Sequence, residues 1–585
     1  MPGTWTSVTT ICTSLQITRS LRCAAWADEG MASCAAWADH GSNQCSSWAD
    51  EGHNACCDWA PCSWFCDAFY WVANWVCQAF IWVAKWVCTA WYWIAKWVCL
   101  AWVWILRLFC WSGNGGPMLL LTDGAVLLNE CASGYGTRRW WTLHPDSAGR
   151  YVSSVWTRVA NSNYARKYFA SAVLADGRVL VCGGEYSDAS GAQRQDDTNK
   201  CEIYDPVADT WTEIAAPPGI AQIGDAACAL LPDGRFLLGN YSSTTCWIFD
   251  PGTGAWTAAA NKRDSASEES WVLMPNDTVL VPQISASPNA EKYLIATDQW
   301  VADGALVARI DDATTDFVPE VGPGFLLPDR RAFFVGANGN TALYSMGGTA
   351  TAAGTWAAGP AIPRSGRRNQ GAKDGPGTLL PSGNVLVPVA PVDGLARGSQ
   401  YLAPCTFLEF DGANLNGTTN PPNSNCPTYV GRLLLIPTGQ ALWAREDDRG
   451  IYAYTETGTP ADLFRPVITA APGVVRRGTT IAVAGTQFNG LSQAVGYGDD
   501  QTTATNYPIV RIRNRKTGHV RYCRTFDHTR ADGTGAPVTS MGVATGVTVV
   551  TTHVAVPGDV DLGASDLFVV ANGIASSPAA IIVTA

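Results

Sequence analysis

Side chains able to bind a metal ion gather in one short segment of the N-terminal region. The segment holds one histidine and four cysteines, namely His53, Cys56, Cys57, Cys62 and Cys66. Thiolates and imidazoles are the usual zinc ligands, most often with pairs of cysteines two to four residues apart. This segment matches that spacing only loosely. Disulfide bonds, or repeat cysteines crowded together without a ligand, are therefore the favoured interpretation, and a metal site is the weaker alternative.

The cysteines of this region belong to a repeat of eleven residues. Twelve of the 20 cysteines fall between Cys12 and Cys110. They recur at Cys12, Cys23, Cys34, Cys45 and Cys56 and, after one shortened interval, at Cys66, Cys77, Cys88, Cys99 and Cys110. Eleven residues complete three helical turns at about 3.67 residues per turn. The repeat therefore predicts long helices whose cysteines share one face.

The repeat has two halves that meet near Pro61. Residues 1–61 are polar, and the units CAAWADEGMAS, CAAWADHGSNQ and CSSWADEGHNA each contain a glycine. A glycine costs a helix about 1 kcal/mol relative to alanine, so a weak helix and a turn-rich or disordered segment are equal alternatives there. Residues 62–112 are hydrophobic and have no glycine or proline from Trp64 to Trp111, which predicts a helix.

The hydrophobic half has one narrow polar face, on which Cys77 and Cys88 lie with Lys85 and Lys96. A lysine at mid-bilayer costs roughly 2.5–3.5 kcal/mol, so a single plain transmembrane helix fits poorly. Two arrangements stay open: helices that turn this face inward in or on a membrane, and a soluble self-assembled bundle. The wide tryptophan-rich face favours a membrane or cell-surface location. Residues 1–23 lack the pattern of a secretory signal peptide.

A different repeating sequence pattern, typical of β structure, begins near Gly116. Seven segments each open with a tight turn followed by a hydrophobic run. The turns lie at Thr122-Asp-Gly, Ala175-Asp-Gly, Pro232-Asp-Gly, Pro275-Asn-Asp, Pro328-Asp-Arg, Pro381-Ser-Gly and Pro437-Thr-Gly. Their spacing of about 43–57 residues is typical of kelch blades. Residues 116–464 are therefore predicted to form a seven-bladed kelch β-propeller, in which ring closure protects the blade edges.

The last part of the chain, residues 465–585, carries alternating strands separated by turns, such as Asp566-Leu-Phe-Val-Val-Ala-Asn-Gly. About 120 residues of this pattern suit an immunoglobulin-like β-sandwich. The predicted fold is thus mainly β: a seven-bladed kelch propeller plus an immunoglobulin-like domain, preceded by the helical Trp/Cys-rich repeat. The net charge of −11 argues against nucleic acid as a partner.

This domain order resembles the galactose oxidase and glyoxal oxidase family, whose kelch propeller is followed by an immunoglobulin-like early-set domain. The similarity covers about 116–585 and is nearest to bacterial kelch-repeat proteins that share the segments Leu491-Ser-Gln-Ala-Val-Gly-Tyr-Gly-Asp-Asp and Tyr522-Cys-Arg-Thr. The resemblance implies one copper ion held by two tyrosines and two histidines. It also implies a cross-link between one of those tyrosines and a cysteine.

The radical tyrosine that the resemblance implies has a counterpart in this chain. Ala165-Arg-Lys-Tyr168 stands just before a D-G-R-V turn, so Tyr168 matches that position. Its cross-linked cysteine is expected just before the turn of the first blade. The chain has Gly115-Gly-Pro-Met there and no cysteine.

The remaining positions of the implied copper site are mostly lost. Tyr429 matches the second tyrosine, but Val430 stands where a histidine is expected. His528 is the nearest candidate for the last histidine, and Tyr186 for the ring that shields the radical. Copper(II) strongly prefers imidazole ligands. We therefore expect no catalytic residue and no cofactor, and copper only under the alternative of a rearranged site.

Other candidate chemistry is sparse. Neighbouring strand residues point to opposite faces, so neither Glu268-Glu269 nor Asp499-Asp500 makes a catalytic pair by itself. Both acidic pairs are expected in solvated loops, and a calcium or substrate role is the weaker alternative. The favoured hypothesis is a non-catalytic binding or structural propeller that is anchored or self-assembled through residues 62–112. Its propeller would bind a carbohydrate or a protein. Two alternatives are a copper-radical oxidoreductase with a degenerate site, and a membrane-active effector with the propeller as targeting domain.

Overall fold

The structure of the chain is a computed structural model that describes most of the sequence. The described residues are 2–8, 13–57, 63–108, 113–132, 135–266, 268–312, 319–392, 401–492, 494–495, 502–503, 506–534 and 536–585. Within the two long helices, side chains are described for residues 26–51 and 68–100. The chain divides into two compact units, Ile11–Ser112, and Met1–Thr10 together with Gly113–Ala585.

The smaller unit contains two long α-helices, α1 (Thr13–Cys57) and α2 (Ser63–Leu108). α1 continues through Gly30 and Gly41, so the polar half of the repeat adopts the helical alternative. Neither helix, as far as its residues are described, has a stretch apolar and long enough to cross a membrane.

The two helices are antiparallel because equivalent positions of the repeat pair across them. Disulfide bonds join Cys34 to Cys88 and Cys45 to Cys77. A cysteine nearer the C-terminus of α1 is thus bonded to one nearer the N-terminus of α2. Cys99 is disulfide-bonded as well. The polar face predicted for residues 62–112 is therefore covered by α1 of the same chain.

Ion pairs and glycines follow the same eleven-residue interval. Acidic residues of α1 pair with lysines of α2, namely Asp28 with Lys96 at 2.8 Å and Asp39 with Lys85 at 3.2 Å. A Cβ atom on Gly30 would lie 2.1 Å from the Tyr92 ring, and one on Gly41 would lie 2.9 Å from Ile81. The glycines that weaken the helix locally are thus the positions where side chains of α2 approach most closely.

Among the described residues of the larger unit, seven small antiparallel sheets succeed one another as blades. The first strand of each blade is innermost, except in blade 6, where Thr378–Leu379 is the inner strand. Blade 1 consists of Met118–Leu120, Val126–Ala132, Tyr135–Leu143 and Trp156–Arg158. Blade 2 consists of Ala170–Val173, Val179–Cys182, Cys201–Asp205 and Thr210–Ile214, and beside it lies a sheet of Arg166–Lys167, Tyr186–Ser187 and Arg194–Gln195. Blade 3 consists of Cys228–Leu230, Phe236–Asn240, Ser243–Asp250 and Ala255–Ala259. Blade 4 consists of Val272–Met274, Thr278–Pro282, Asn289–Leu294 and Gln299–Ala305.

The ring continues through three further blades. Blade 5 consists of Gly324–Leu326, Arg331–Val335, Thr341–Ser345 and Thr355–Ala358. Blade 6 consists of Gln370–Gly371, Thr378–Leu379, Val385–Pro391, Thr406–Phe410 and Leu415–Gly417. Blade 7 consists of Gly431–Leu435, Ala441–Arg445 and Asp448–Thr455, preceded by the 3₁₀ turn Thr428–Val430. The inner strand of blade 1 contacts those of blades 7 and 2, so the strands close around a common axis.

The outermost strand of blade 7 comes from the N-terminus of the chain. Thr4–Val8 pairs antiparallel with Asp448–Thr455, with Trp5 opposite Tyr454. The polar half of the repeat is predicted to span residues 1–61, whereas Thr4–Val8 belongs to the propeller. The helical unit is therefore inserted in the chain between the last strand of the ring and the first. A strand of five residues is too short for its sequence pattern to predict pairing with a strand more than 400 positions away.

The C-terminal β strands form two sheets joined by the long strand Val520–Ala531. One sheet contains Val467–Ala470, Thr480–Thr486, Val549–Ala555 and Pro537–Thr539. The other contains Ile509–Asn514, Gly563–Ala571, Ile574–Ala575, Ala579–Thr584 and Val474–Arg476. Both sheets supply the buried core, which includes Val483, Val510, Val554 and Leu567. The immunoglobulin-like assignment of this domain stays a prediction.

The C-terminal domain packs on the turns that follow the inner strands of the blades. Backbone N–H groups of Thr525, Asp527 and Met541 donate to carbonyls at Thr122, Ala175 and Pro232, at the turns of blades 1, 2 and 3. A short hairpin, Ala494–Val495 with Thr502–Thr503, contacts the inner strands of blades 1, 5, 6 and 7. One end of the ring is thereby covered, and the other end is where the inner strands begin.

Replacement of Trp5 by alanine tests the closure of the ring. The indole of Trp5 donates to the Thr419 carbonyl at 2.7 Å and packs 5.0 Å from the Phe407 ring. We expect Trp5→Ala to lower the free energy of unfolding by about 2 kcal/mol, since the half-buried ring leaves a cavity. Amide hydrogen exchange should accelerate in Asp448–Thr455. Urea denaturation and exchange mass spectrometry measure both effects.

Thr6→Ala is the matched control, because Thr6 lies on the same strand with an exposed side chain. Equal effects of the two substitutions, or unchanged exchange in blade 7, would contradict the closure by this strand.

Candidate functional site

The mouth of the propeller, at the end away from the C-terminal domain, is lined by residues that precede the inner strands. Tyr168 stands there before blade 2, and Tyr429 before blade 7. Both tyrosines matched by sequence are thus placed at equivalent points of the ring. Tyr168 has a φ of 55°, a left-handed conformation that is uncommon for a bulky side chain.

A buried ion-pair network surrounds the hydroxyl of Tyr168. This hydroxyl donates to Glu446 Oε1 at 3.3 Å, and the Lys167 ammonium lies 2.8 Å from the same oxygen. The Arg432 guanidinium lies 3.9 Å from Glu446 Oε2 and 5.7 Å from the Tyr168 ring. Lys167, Arg432 and Glu446 are all nearly inaccessible to solvent.

This donor set does not fit a copper ion. The neighbours of the Tyr168 phenol are one carboxylate and two cations, and imidazole is absent from this described cluster. The buried positive charges of Lys167 and Arg432 repel a metal cation at the same place. Lys167 and Arg432 belong to the matched segments around Tyr168 and Tyr429, but Glu446 has no local motif that sequence alone could identify.

Packing also explains the missing cysteine of the implied cross-link. A Cβ atom on Gly116 would lie 2.3 Å from the Asn129 carbonyl oxygen and 3.0 Å from Cys131 Sγ. No side chain fits at Gly116, and the thiol of Cys131 fills part of the adjacent space. The pKa of Cys131 is raised to about 12, mainly by burial and also by the nearby Glu446. The thiol is therefore protonated and unreactive at neutral pH.

Tyr186 and Tyr429 are further aromatic residues of the mouth. The Tyr186 ring lies 6.1 Å from the Tyr168 ring, edge to face, close to the shielding position that the resemblance implies. Burial raises the pKa of Tyr186 to about 12. Tyr429 contacts the ring of Tyr401 at 4.8 Å, and its carbonyl accepts a hydrogen bond from Arg432 at 2.6 Å.

His528 lies inside the C-terminal domain. Its Nδ1 is 2.9 Å from Thr552 Oγ1, and its ring stacks on Tyr507 at 6.3 Å. Burial lowers the pKa of His528 to about 3, so the ring is neutral at physiological pH. These contacts fit a packing role, and none of them involves Tyr168 or Tyr429.

The side chains of His53, Cys56, Cys57, Cys62 and Cys66 lie outside the described residues, and so do Asp499 and Asp500. Among the side chains that are described, no group of three or more His, Cys, Asp or Glu is close enough to hold a metal ion. The eight free cysteines that the structure describes are all buried.

The expectation that Glu268 and Glu269 are solvated is wrong for Glu269. This carboxylate is fully buried, and its Oε2 lies 3.0 Å from the Lys262 ammonium. The same ammonium lies 2.6 Å from Glu291 and 4.5 Å from the Trp300 ring. The lysine partner is seven residues upstream and the second glutamate lies on another strand, so the local pattern could not reveal this neutralisation.

Removal of Glu446 tests the mouth network. Glu446→Ala leaves Lys167 and Arg432 as buried charges without their carboxylate, so we expect a loss of about 3 kcal/mol in the free energy of unfolding. Asp559→Ala is the control, since Asp559 is exposed beside Arg521 and should change stability by less than about 1 kcal/mol. Urea denaturation measures the free energy of unfolding of both variants. Similar losses in Glu446→Ala and Asp559→Ala would contradict the buried network.

Comparisons of the sequence with known proteins agree with the propeller. The Kelch motif family matches residues 166–218, which lie in blade 2. The Kelch-like protein terF of Aspergillus terreus is 26% identical over 125 residues, which are 21% of this chain and 26% of that protein. This chain thus spans about a quarter of the length of that curated relative. A solved fungal alcohol oxidase of the AA5 family, in complex with copper, shares 16% identity and covers 81% of this chain and 100% of its own, with a TM-score of 0.43. The chain is a kelch β-propeller-like protein.

Proposed function

We propose that the protein is a non-catalytic binding protein whose propeller mouth recognises a ligand. The observation that carries this proposal is the Lys167–Glu446–Arg432 network around Tyr168, since it places charges where a copper centre would need imidazoles. Such a buried polar network suits recognition, because its side chains are already fixed before a ligand arrives.

Copper loading is the direct test of this proposal. We expect the purified protein, after treatment with copper sulfate and dialysis, to retain less than one copper per chain by elemental analysis. Peroxide production from galactose or methylglyoxal in air should not exceed that of Tyr168→Phe, which removes the phenol that matches the radical position. Stoichiometric copper, together with peroxide that disappears in Tyr168→Phe, would establish the oxidase instead.

The helical unit is proposed to hold copies of the protein together through α2. Two tryptophans of each repeat are exposed four residues apart, as in Trp71 and Trp75, or Trp82 and Trp86. Residues four apart lie on one helix face, so these side chains form a continuous stripe along α2. Trp93 and Trp97 continue it with their rings 6.0 Å apart.

The size of this stripe favours a protein partner. Nine aromatic side chains between Phe69 and Trp97 are more than half exposed, which amounts to about 1,000 Å² of apolar surface. The largest patch on a monomeric protein is usually about 300–600 Å². One side of a stable interface buries about 800 Å², so two copies of this stripe are large enough to cover each other.

Charge favours a second copy over a bilayer. The lysines of α2 are engaged with Asp28 and Asp39 of α1, and the outward face of α1 carries further acidic residues such as Glu29 and Glu51. An acidic hairpin in a chain of net charge −11 is repelled by anionic lipid headgroups. Contact with the identical stripe of a second copy avoids this repulsion by anionic headgroups.

Sedimentation of the full chain tests this association. We expect the wild type to be a dimer or larger at micromolar concentration, and Trp82→Glu with Trp86→Glu to weaken association at least tenfold, since buried tryptophans dominate interfaces. Trp37→Glu, on the exposed side of α1, is the matched control and should leave association unchanged. A monomeric wild type would refute the proposal, and flotation with uncharged liposomes would replace it with membrane anchoring.

A further inference from the structure

A second group of residues at the propeller mouth is acidic and comes from four consecutive blades. Asp225, Glu268, Glu320 and Asp374 each stand three or four residues before the inner strand of blades 3, 4, 5 and 6. Tyr168 and Tyr429 stand two residues before the inner strands of blades 2 and 7, at the same end of the ring. Equivalent positions in a closed ring face a common axis, so the four carboxylates surround the mouth on the side away from Tyr168.

These carboxylates are close enough to influence one another. Asp225 and Glu320 are more than nine-tenths buried. The pKa of Glu320 is raised to about 7, mainly by burial and also by Asp312 and Asp225, against the lowering effects of Lys373 and of the Tyr401 hydrogen bond. Burial also raises the pKa of Glu268 well above its usual value, and the main charges that add to this are Asp225, Glu320 and Asp374. A common region of negative potential therefore lies inside the mouth.

One carboxylate oxygen in this group accepts no hydrogen bond. The Tyr401 hydroxyl donates to Glu320 Oε1, whereas Glu320 Oε2 is buried and has no donor within hydrogen-bond distance. The nearest cation is the Lys373 ammonium, 3.7 Å away, which is bound more closely by Asp312. A buried carboxylate oxygen without a donor is costly to leave unmatched, which points to a donor brought by a ligand.

Aromatic rings beside the carboxylates indicate the kind of donor. The Lys373 ammonium lies 4.8 Å from the centre of the Tyr401 ring, and the Tyr429 ring lies 4.8 Å from that ring on another side. Carboxylates together with aromatic faces form the usual environment of alkylammonium groups. The chain thus already uses an ammonium group of its own at the edge of this region.

We propose that the acidic side of the mouth, formed by Asp225, Glu268, Glu320 and Asp374, binds a primary alkylammonium group through Glu320 and the neighbouring Tyr401. This inference rests on the proposed recognition role of the mouth and names the chemistry of its ligand. A lysine side chain of a polypeptide and a free polyamine carry the same group. The ammonium would supply the N–H donor that Glu320 Oε2 lacks.

Calorimetric titration of the full-length protein tests this site with three probes: acetyl-Gly-Lys-Gly-amide, spermidine and calcium chloride. We expect at least one amine probe to bind, with the peptide stronger for a polypeptide ligand and spermidine stronger for a polyamine. Glu320→Gln should weaken amine binding at least tenfold, because a charged hydrogen bond becomes a neutral one. Asp374→Asn, at a half-buried position with a φ of 46° that asparagine tolerates, should weaken it as well and provides a second variant if Glu320→Gln fails to fold.

Asp559→Asn on the C-terminal domain is the control and should bind as the wild type does. The site would be disproved by the absence of amine binding, by equal binding in Glu320→Gln and Asp374→Asn, or by binding of calcium alone. Peroxide production is measured on the same samples. Its presence would contradict the non-catalytic role but not amine binding, so failure of one proposal can be distinguished from failure of the other.

Discussion

Closure of the ring by the N-terminal strand is the constraint on which the rest of the structure depends. Without Thr4–Val8, the edge of Asp448–Thr455 would be unpaired, and an unpaired edge in a sheet is a site of fraying and aggregation. Blade 7 also supplies Glu446, and the neutralisation of Lys167 and Arg432 requires that the blades keep their places around the axis. The strand at one end of the chain thus stabilises charges contributed by residues more than 160 positions away.

Local patterns in the sequence were sufficient for the blades but not for the mouth. Each blade is specified by a tight turn and a hydrophobic run of adjacent residues, so the count of seven followed from spacing alone. The partners of Tyr168 are different, since Glu446 and Lys167 are far apart in sequence and meet only when blades 7 and 2 are assembled. α1 shows the same difficulty, because Gly30 looks unfavourable for a helix until the Tyr92 ring of α2 lies against it.

The two sides of the mouth have opposite electrostatic character. Around Tyr168, two cations share one carboxylate, and both cations are buried. Around Glu320, Lys373 is shared with Asp312, and burial raises the pKa of Glu320 to about 7. The first side is closed to a metal cation by repulsion, and the second favours a positively charged group. A kelch ring can present both on one surface because each blade places a different side chain at an equivalent position.

The cysteines illustrate how environment decides chemistry within one chain. In the hairpin, the residues of α1 that are buried against α2 are small, such as Ala27, Ala38 and Ala49, so the contact between the helices removes little apolar surface from water. Disulfide bonds at the eleven-residue interval compensate for this small hydrophobic contribution, because they lower the conformational entropy of the unfolded hairpin. In the larger unit, burial raises the pKa of thiols such as Cys523 to about 12 and keeps them protonated. A buried, protonated thiol reacts slowly, so thiols such as Cys523 stay reduced under conditions that oxidise the hairpin.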